Sequence, residues 1–411
     1  MVFFLKDIEQ VKSISWSFLI QDINTSLSYN PYCKSARYYD VFKHIIISLI
    51  FGKEIILLDS DFTDSELKKL TGYSEYEKFN QVIDKKNLPI IGNKEELIEI
   101  LKKTSDDWKI SLFTSGTTGI PQKVTHNFSS ITRFVKISDQ NTNSIWGFAY
   151  NPTHMAGIQV FFQALLNGNS IVRLFGLNPL EIHQKIQENN ITHISATPTF
   201  YRLFLPCKEV FQSVRRITSG GEKFNEKMIV QLSEIFPNAK ITNVYASTEA
   251  GTLFATENDI FTIKAENEHF IRILDDELLI HSNLMGSTDR NIDEWFKTGD
   301  LVEVISENPL QFRFISRKTD MINIGGYKVN PLEVEEAILS LPEIKNARVY
   351  SKSNSVMGNI ICCEVVCDNK EITESSVRTF LQSKLQEFKI PRIILFVSEL
   401  STTRTGKIKR N

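Results

Sequence analysis

A loop of hydroxyl and glycine residues directly follows an apolar run at the end of the first quarter of the chain. The segment Leu112–Val124 reads LFTSGTTGIPQKV, with six consecutive Thr, Ser or Gly residues. Backbone N–H groups and hydroxyls in such a loop are typical donors to a bound anion, most often a phosphate. No Gly-Lys-Ser/Thr closes the segment, so it is not the common P-loop. The loop predicts a phosphate site of another kind.

Four later segments carry further groups that could do chemistry. Asn243–Gly251, NVYASTEAG, combines an aromatic ring, hydroxyls and a carboxylate, and Trp295–Leu301, WFKTGDL, has an aspartate directly after a glycine. Ser316–Ile338 contains an arginine and a glycine pair, and TRTGKIKRN at 403–411 is rich in cations. Together with the loop, these segments give five motifs in a fixed order along the chain.

Bulk composition narrows the class of protein. The 411 residues predict two or three domains, and a formal net charge of -2 predicts no nucleic-acid partner. The five cysteines lack zinc-like spacing, and their odd number without a secretory leader favours reduced thiols. The apolar stretch Ile45–Phe51 is too short to span a membrane. We therefore expect a soluble cytoplasmic protein that binds phosphate at a local site.

The pattern of elements indicates an α/β fold. After residue 168, a strand pattern SIVRLF, a helix pattern PLEIHQKIQENN and a strand pattern ITHISATP follow one another. Such alternation is typical of parallel sheets that bind ligands at the carboxyl ends of their strands. From about residue 260 the strands become short, and FIRILDDELLI predicts a hairpin turning at Asp275-Asp276.

The last ninety residues predict a separate α+β unit. Asn330 suits a helix N-cap, Pro331 suits the first helical position, and Glu333 would complete a capping box. The charged segment SRKTD, 316–320, lies where the two patterns meet. We therefore interpret it as the linker.

Taken in order, the five motifs resemble those of the adenylate-forming (ANL) superfamily: acyl- and aryl-CoA synthetases, amino-acid adenylation domains and firefly luciferase. The resemblance runs from about Gly52 to the C-terminus. It implies a large N-terminal ATP- and acid-binding domain of α/β layers with a small β-rich subdomain (1–316), a hinge (317–320), and a mobile α+β lid domain (321–411). It also implies a reaction in which a carboxylate and ATP form an acyl-adenylate, which a thiol then attacks.

The resemblance implies a nucleotide site. The phosphate-binding residues would be Thr114, Ser115, Gly116, Thr117, Thr118, Gly119 and Lys123. Gly220, Gly221 and Glu222 would line the adenine pocket, and Tyr245 would stack on adenine. Asp300 would accept hydrogen bonds from the ribose hydroxyls, and Arg317 would reach the ribose or a phosphate.

The resemblance also implies the catalytic groups. Thr248 would contact the α-phosphate, Glu249 would coordinate Mg²⁺, and Lys407 would bridge the carboxylate and the α-phosphate. Removing the Lys407 charge should cost adenylation about 3–4 kcal/mol. His154 would lie at the acyl pocket or be a structural histidine, and the other six histidines are interpreted as structural.

Three departures from the family pattern bear on function. The usual Pro-Lys-Gly is Pro121-Gln122-Lys123, so the lysine has moved one place. Thr319, where many members have Asp or Lys, resembles the o-succinylbenzoate-CoA ligase branch, and the pair Gly325-Gly326 resembles acyl- and aryl-CoA ligases. The stretch before the loop is short for the family, so we interpret the N-terminal region as shortened.

The sequence leaves the acid and the acceptor open. A histidine at position 154 cannot pair with a substrate ammonium, which favours an acid without an α-amino group. No carrier domain follows, so the acceptor would be CoA or the phosphopantetheine of a free acyl carrier protein. A catalytically idle nucleotide-binding homologue is the alternative, although retention of Glu249, Asp300, Arg317 and Lys407 argues against it.

Overall fold

A computed structural model of the chain describes residues 3–7, 13–25, 28–73, 78–79, 81–82, 90–114, 121–205, 207–222, 224, 226–288, 293–324, 327–354, 358–369, 371–402 and 408–409. Its helices alternate with strands through the first two thirds of the chain. They are α1 (Trp16–Thr25), α2 (Tyr38–Phe51), α3 (Asp64–Thr71), α4 (Lys94–Lys102), α5 (Phe128–Thr132), α6 (Met155–Leu165), α7 (Pro179–Asn189), α8 (Pro198–Phe204), α9 (Glu226–Ile235), α10 (Pro331–Leu339) and α11 (Glu374–Gln382).

The strands fall into several separate sheets. They are β1 (Phe3–Lys6), β2 (Ile14–Ser15), β3 (Ser28–Tyr29), β4 (Tyr32–Lys34), β5 (Ile55–Leu58), β6 (Gln81–Val82), β7 (Lys109–Thr114), β8 (Gln122–Asn127), β9 (Ile145–Phe148), β10 (Ser170–Arg173), β11 (His193–Ala196), β12 (Arg216–Gly220), β13 (Lys240–Ser247), β14 (Gly251–Thr256), β15 (Ile260–Thr262), β16 (Ile271–Leu274), β17 (Glu277–His281), β18 (Ser287–Thr288), β19 (Trp295–Glu307), β20 (Leu310–Arg317), β21 (Ile322–Ile324), β22 (Tyr327–Val329), β23 (Ile344–Asn354), β24 (Gly358–Cys367) and β25 (Ile393–Phe396).

The largest sheet has the order β14-β13-β12-β11-β9-β10-β1-β2. Its central strands are parallel, and helices connect several of them, as the alternating pattern predicts. The carboxyl ends of β11, β12 and β13 therefore meet at one edge, where polar loops can reach a common ligand.

A second sheet, β18-β8-β7-β5-β4, holds the glycine-rich loop between β7 and β8. It packs through a dense aromatic core in which the rings of Phe42 (α2) and Phe161 (α6) stack at 4.2 Å between centroids. The buried indole N–H of Trp108 donates to Ser48 Oγ at 3.0 Å, so this polar group is satisfied. The strands that flank the loop are thereby fixed to the main body.

A small antiparallel sheet, β15-β20-β19-β17-β16, follows the large one. The predicted hairpin is confirmed, because β16 and β17 pair and turn at Asp275 and Asp276, whose φ angles are 51° and 61°. Two central residues with positive φ are typical of the type I′ turn, which matches the twist of paired strands.

The C-terminal α+β unit contains the sheet β23-β24-β25 with α10 and α11. Asn330 caps α10 as predicted, accepting from Leu332 N at 3.0 Å, but the predicted capping box is wrong. Glu333 instead pairs with Lys389 Nζ at 2.6 Å, because the folded chain offers it a cation from further along. Between the two parts of the chain, Lys227 Nζ donates to the Leu339 carbonyl at 2.8 Å.

The five cysteines are free thiols. Burial raises the pKa of Cys33 and of Cys363 to about 12, so both stay protonated and weakly reactive. In the part of the chain that the structure describes, none of the helices has the length and apolar character needed to cross a membrane.

Candidate active site

Three strands bring a tyrosine, a carboxylate and an arginine into one network. Tyr245 (β13) donates its hydroxyl to Asp300 Oδ2 at 2.5 Å, and Arg317 Nε lies 2.8 Å from Asp300 Oδ1. Asp300 (β19) is only 3% exposed and lies opposite Arg317 (β20) in the pairing of the two strands. An ionised carboxylate only accepts hydrogen bonds, which suits Asp300 to the ribose hydroxyls that the sequence analysis assigns to it.

The charges in this network support one another. Burial raises the pKa of the Tyr245 phenol well above its ordinary value, and the Asp300 carboxylate raises it further. Burial lowers the pKa of Arg317, but the charges of Asp300, Tyr245 and Glu249 outweigh burial and raise it overall. The guanidinium therefore remains charged. Since the Glu249 carboxylate acts on it, the nucleoside and metal parts of the predicted site are neighbours.

A buried glutamate that the sequence analysis missed supports the Asp300 turn. Glu277 (β17) is 6% exposed. Its Oε1 accepts from Gly299 N at 3.0 Å and its Oε2 accepts from Lys318 Nζ at 3.1 Å. Glu277 thus joins the glycine before Asp300 to the start of the predicted hinge. Its hairpin position gave no sequence signal for this long-range contact.

The Thr248–Glu249 turn is anchored by its backbone. His126 (β8) places Nε2 2.8 Å from the Thr248 carbonyl and Nδ1 2.8 Å from Ser130 Oγ. Gly286 N donates to the Glu249 carbonyl at 2.7 Å. A carbonyl can only accept, so Nε2 carries the proton and Nδ1 accepts from the Ser130 hydroxyl. These contacts fix the direction in which the two side chains leave the turn.

His126 is a structural histidine, as predicted, but the turn that it stabilises belongs to the candidate site. It is 1% exposed, and burial lowers its pKa, which keeps the ring neutral. A Cβ on Gly286 would lie 2.7 Å from His126 Cε1, so glycine is required for this approach. The sequence signal that could have found it is its position on the strand that leaves the glycine-rich loop.

Most of the glycine-rich loop lies outside the described residues. This applies to the predicted phosphate ligands Ser115, Gly116, Thr117, Thr118 and Gly119. Thr114 is described at the end of β7, where it is half-buried and pairs opposite Gln122 at the start of β8. The loop therefore leaves the sheet from a fixed pair of strands.

Lys123 lies on the other face of this hairpin from Thr114. Directly paired residues share a face and successive residues alternate, so Gln122, opposite Thr114, takes the face that Lys123 does not. Lys123 Nζ lies 3.3 Å from Glu54 Oε1, which also accepts from Ser111 Oγ at 2.8 Å. The prediction that Lys123 binds phosphate remains a prediction, and this placement does not favour it.

In the segment 220–222, two positions require glycine. The Glu222 side chain instead binds at the start of α8. A Cβ on Gly220 would lie 2.5 Å from Val244 Cγ2, and Gly221 has φ +83°. The Glu222 carboxylate instead accepts from Thr199 Oγ1 at 2.7 Å and from Thr199 N at 3.2 Å. Its carboxylate is therefore engaged at the start of α8, and contact of this residue with adenine stays a prediction.

His154 lies immediately before α6 and beside a buried carboxylate. Its Nε2 is 3.4 Å from Asp59 Oδ1, without hydrogen-bond geometry. Asp59 is 6% exposed at the end of β5 and also accepts from the Thr153 hydroxyl. Asp59, which follows β5, therefore connects the sheet β18-β8-β7-β5-β4 to the start of α6.

A cavity of about 530 Å³ lies between the large sheet and helices α5 and α6. It brings together four of the predicted site residues, which are His154, Gly220, Gly221 and Thr248. A volume of this size suits a small organic ligand. The predicted acyl and α-phosphate residues therefore share one space.

Lys407 lies outside the described residues, but the segments on either side of it are placed. Thr402 and Ile408 form a β-bridge, and Lys409 N donates to Ser401 O at 2.8 Å. Arg348 Nη1 donates to the Lys409 carbonyl at 2.6 Å. The segment 408–409 is thus tied to β23.

Family models match both parts of the chain. The AMP-binding enzyme model matches residues 30–271, and the AMP-binding enzyme C-terminal domain model matches residues 333–407. The chain belongs to the AMP-binding enzyme family. The predicted membership of the adenylate-forming superfamily is confirmed, and so is the α/β fold with a large N-terminal and a smaller C-terminal domain.

Relatives of this AMP-binding enzyme include named CoA ligases. The 4-hydroxybutyrate–CoA ligase 1 of Metallosphaera sedula is 27% identical over 354 residues, covering 74% of this chain and 61% of that protein. This chain thus spans less than two thirds of that relative. The 2-succinylbenzoate–CoA ligase of Staphylococcus aureus is 25% identical over 427 aligned positions, covering 95% of this chain and 84% of that protein.

A solved structure extends the likeness to the fold. The O-succinylbenzoate coenzyme A synthetase of Bacillus subtilis, in complex with ATP and magnesium ion, matches with a TM-score of 0.68 and 18% identity. The match covers 99% of this chain and 95% of that one. At this identity the likeness concerns the fold alone.

Proposed function

We propose that this chain is an AMP-forming acid:thiol ligase. It would join a carboxylic acid to the α-phosphate of ATP, release pyrophosphate, and pass the acyl group from the adenylate to the thiol of CoA. The observation that carries the proposal is the cavity shared by His154, Gly221 and Thr248. An acid bound there has its carboxylate beside the residue expected to contact the α-phosphate.

The described residues fit a nucleotide. The Asp300 carboxylate is suited to ribose hydroxyls, and Arg317 brings a permanent positive charge 2.8 Å from it. Tyr245 is held by the same carboxylate at 2.5 Å, which fixes its ring for contact with the base. Tyr245 as a whole is 9% exposed, so adenine would meet only a small part of it.

The donor set also fits Mg²⁺. The family resemblance makes the Glu249 carboxylate the expected ligand. One or two carboxylates with phosphate oxygens and water are how Mg²⁺ is usually held. When bound, the ion would neutralise phosphate charge. His126 would keep the Glu249 turn in place for it.

Adenylation brings two anions together, so positive charge and positioning are its main needs. Arg317 and Lys407 would supply the charge, and the anchored Thr248 turn would supply the positioning. We place the N-terminal domain at 1–316, the hinge at 317–320 and the lid domain at 321–411. Rotation about the hinge would bring Lys407 to the site for adenylation and remove it for thiol attack.

Pyrophosphate exchange tests the proposal. The protein is incubated with ATP, Mg²⁺, labelled pyrophosphate and a panel of aliphatic, aromatic and amino acids. We expect exchange with acids that lack an α-amino group, a loss of at least a hundredfold in Lys407→Ala, and little change in the matched control Lys409→Ala. If none of the acids supports exchange although calorimetry shows that the protein binds ATP, the result would instead support the catalytically idle homologue.

The acceptor is identified from the products. The protein is incubated with ATP, an accepted acid, and either CoA or a phosphopantetheinylated carrier protein, and the products are weighed by mass spectrometry. We expect acyl-CoA. Acylation of the carrier alone would replace CoA by a carrier protein and leave the adenylation proposal intact.

A further inference from the structure

The cavity runs along the parallel strands instead of ending beneath the glycines. Arg216, Thr218 and Gly220 alternate along β12 and all line it, because residues two apart face the same side of a sheet. Four residues of strand correspond to about 13 Å. The cavity therefore extends roughly this far from the glycine end, where the reacting carboxylate is expected, to the amino end of β12.

The far end of the cavity carries unneutralised positive charge. The cavity lining includes Arg216 and Lys136, and none of the described lining residues is an Asp or Glu. The Lys136 backbone is linked through Asn141 and Asn169 to Trp146 on β9. Within the described part of the chain, neither of the two side chains makes a hydrogen bond or an ion pair. Gln163 holds this end together by accepting from Lys136 N at 2.9 Å.

The cavity wall beside Arg216 contains a histidine whose pKa is lowered in part by the charge of the arginine. His193 pairs with Arg216 across β11 and β12 and with Trp146 across β11 and β9, and its ring lies 4.7 Å from that of Trp146. Burial, together with the charges of Arg216 and Arg215, lowers the pKa of His193 to about 4. The imidazole is therefore neutral, so it can donate or accept a hydrogen bond without adding charge.

We propose that the acid activated by this ligase carries a second anionic group, which Arg216 binds at the far end of the cavity with help from Lys136. The inference rests on the proposed function. A planar guanidinium pairs with a carboxylate through two parallel hydrogen bonds, which suits an α,ω-dicarboxylic acid or an aromatic acid with a distal carboxylate. A substrate with a distal ammonium would be repelled by both cations.

The test compares two acids of equal length, suberate and octanoate. The specificity constants for pyrophosphate release are measured with wild type, Arg216→Gln and Arg215→Gln. Because Arg216 is exposed, we expect a preference for suberate of about fivefold to tenfold, lost in Arg216→Gln. Arg215 is exposed on the same segment but does not line the cavity, so Arg215→Gln should keep the preference.

A charge reversal makes the test sharper. Arg216→Glu should disfavour suberate relative to octanoate and favour 8-aminooctanoate. Equal use of suberate and octanoate by wild type, or a ratio unchanged in Arg216→Gln, would overturn the distal-anion inference while leaving the ligase function in place. If wild type activates no acid at all, the proposed function fails first.

Discussion

Replacing Lys123 with alanine should change pyrophosphate exchange by less than threefold. The ammonium lies on the opposite face of the β7–β8 hairpin from Thr114 and is paired with Glu54 at 3.3 Å. The two side chains are 31% and 39% exposed, and exposed ion pairs contribute about 0.2–1 kcal/mol. Glu54 keeps its contact with Ser111 in the variant, so no acceptor is left without a partner.

Two measurements check this expectation. Urea unfolding of wild type, Lys123→Ala, Glu54→Gln and the double variant should give a coupling free energy of about 1 kcal/mol or less. Exchange kinetics, with Lys407→Ala as the reference for a lost catalytic charge, should show Lys123→Ala near wild type. A loss of about a hundredfold in Lys123→Ala would refute the assignment of Lys123 to the face of the hairpin opposite Thr114.

Three further predictions follow from the contacts of the candidate site. Tyr245→Phe removes the hydroxyl that Asp300 accepts, and should lower the free energy of unfolding by about 1–2 kcal/mol in urea titrations. His126→Ala releases the Thr248 carbonyl, and should lower kcat for exchange about tenfold, because the turn loses its anchor. The folded pKa of His193, about 4, lies below the ordinary 6.5, so its contribution to stability is complete above pH 6.5 and is lost towards pH 4. In urea titrations across this range, the free energy of unfolding of His193→Gln should fall by roughly 3 kcal/mol less than that of wild type.

Each of these has an outcome that would contradict it. An unchanged free energy of unfolding in Tyr245→Phe would mean that the hydrogen bond between Tyr245 and Asp300 is no more favourable than the hydrogen bonds that these groups make with water. Wild-type exchange in His126→Ala would show that Gly286 alone holds the turn. A pH dependence of stability identical in His193→Gln and wild type would assign the acid-sensitive charge to another group.

Local chemistry in the sequence predicted the parts of the fold that depend on neighbouring residues. Asp275-Asp276 predicted its hairpin, because only residues that tolerate positive φ can make such a turn. The Glu333 capping box failed for the converse reason, since Lys389 is 56 residues away along the chain and invisible to a local pattern.

The candidate site shows the same division. The motifs selected residues that the structure brings together, Asp300 with Arg317 and Thr248 with His154, and the roles of these residues remain predictions. They did not predict the support of the turn by His126, because its partner lies 122 residues further along the chain and only its position on the strand after the glycine-rich loop pointed to it. The positive charge at the far end of the cavity was likewise not predicted, because only the pairing of β11 with β12 shows that Arg216 lies beside His193.

The hydrogen bond from Lys227 to the Leu339 carbonyl has a consequence for the proposed rotation of the lid domain. A single exposed hydrogen bond stabilises one arrangement by about 1 kcal/mol, which biases a two-state equilibrium roughly fivefold. A substrate whose affinities for the two orientations differ by more than this would invert their populations. On this basis, occupancy of the site would set the orientation of the lid domain, and each bound species would select the arrangement suited to its own half of the reaction.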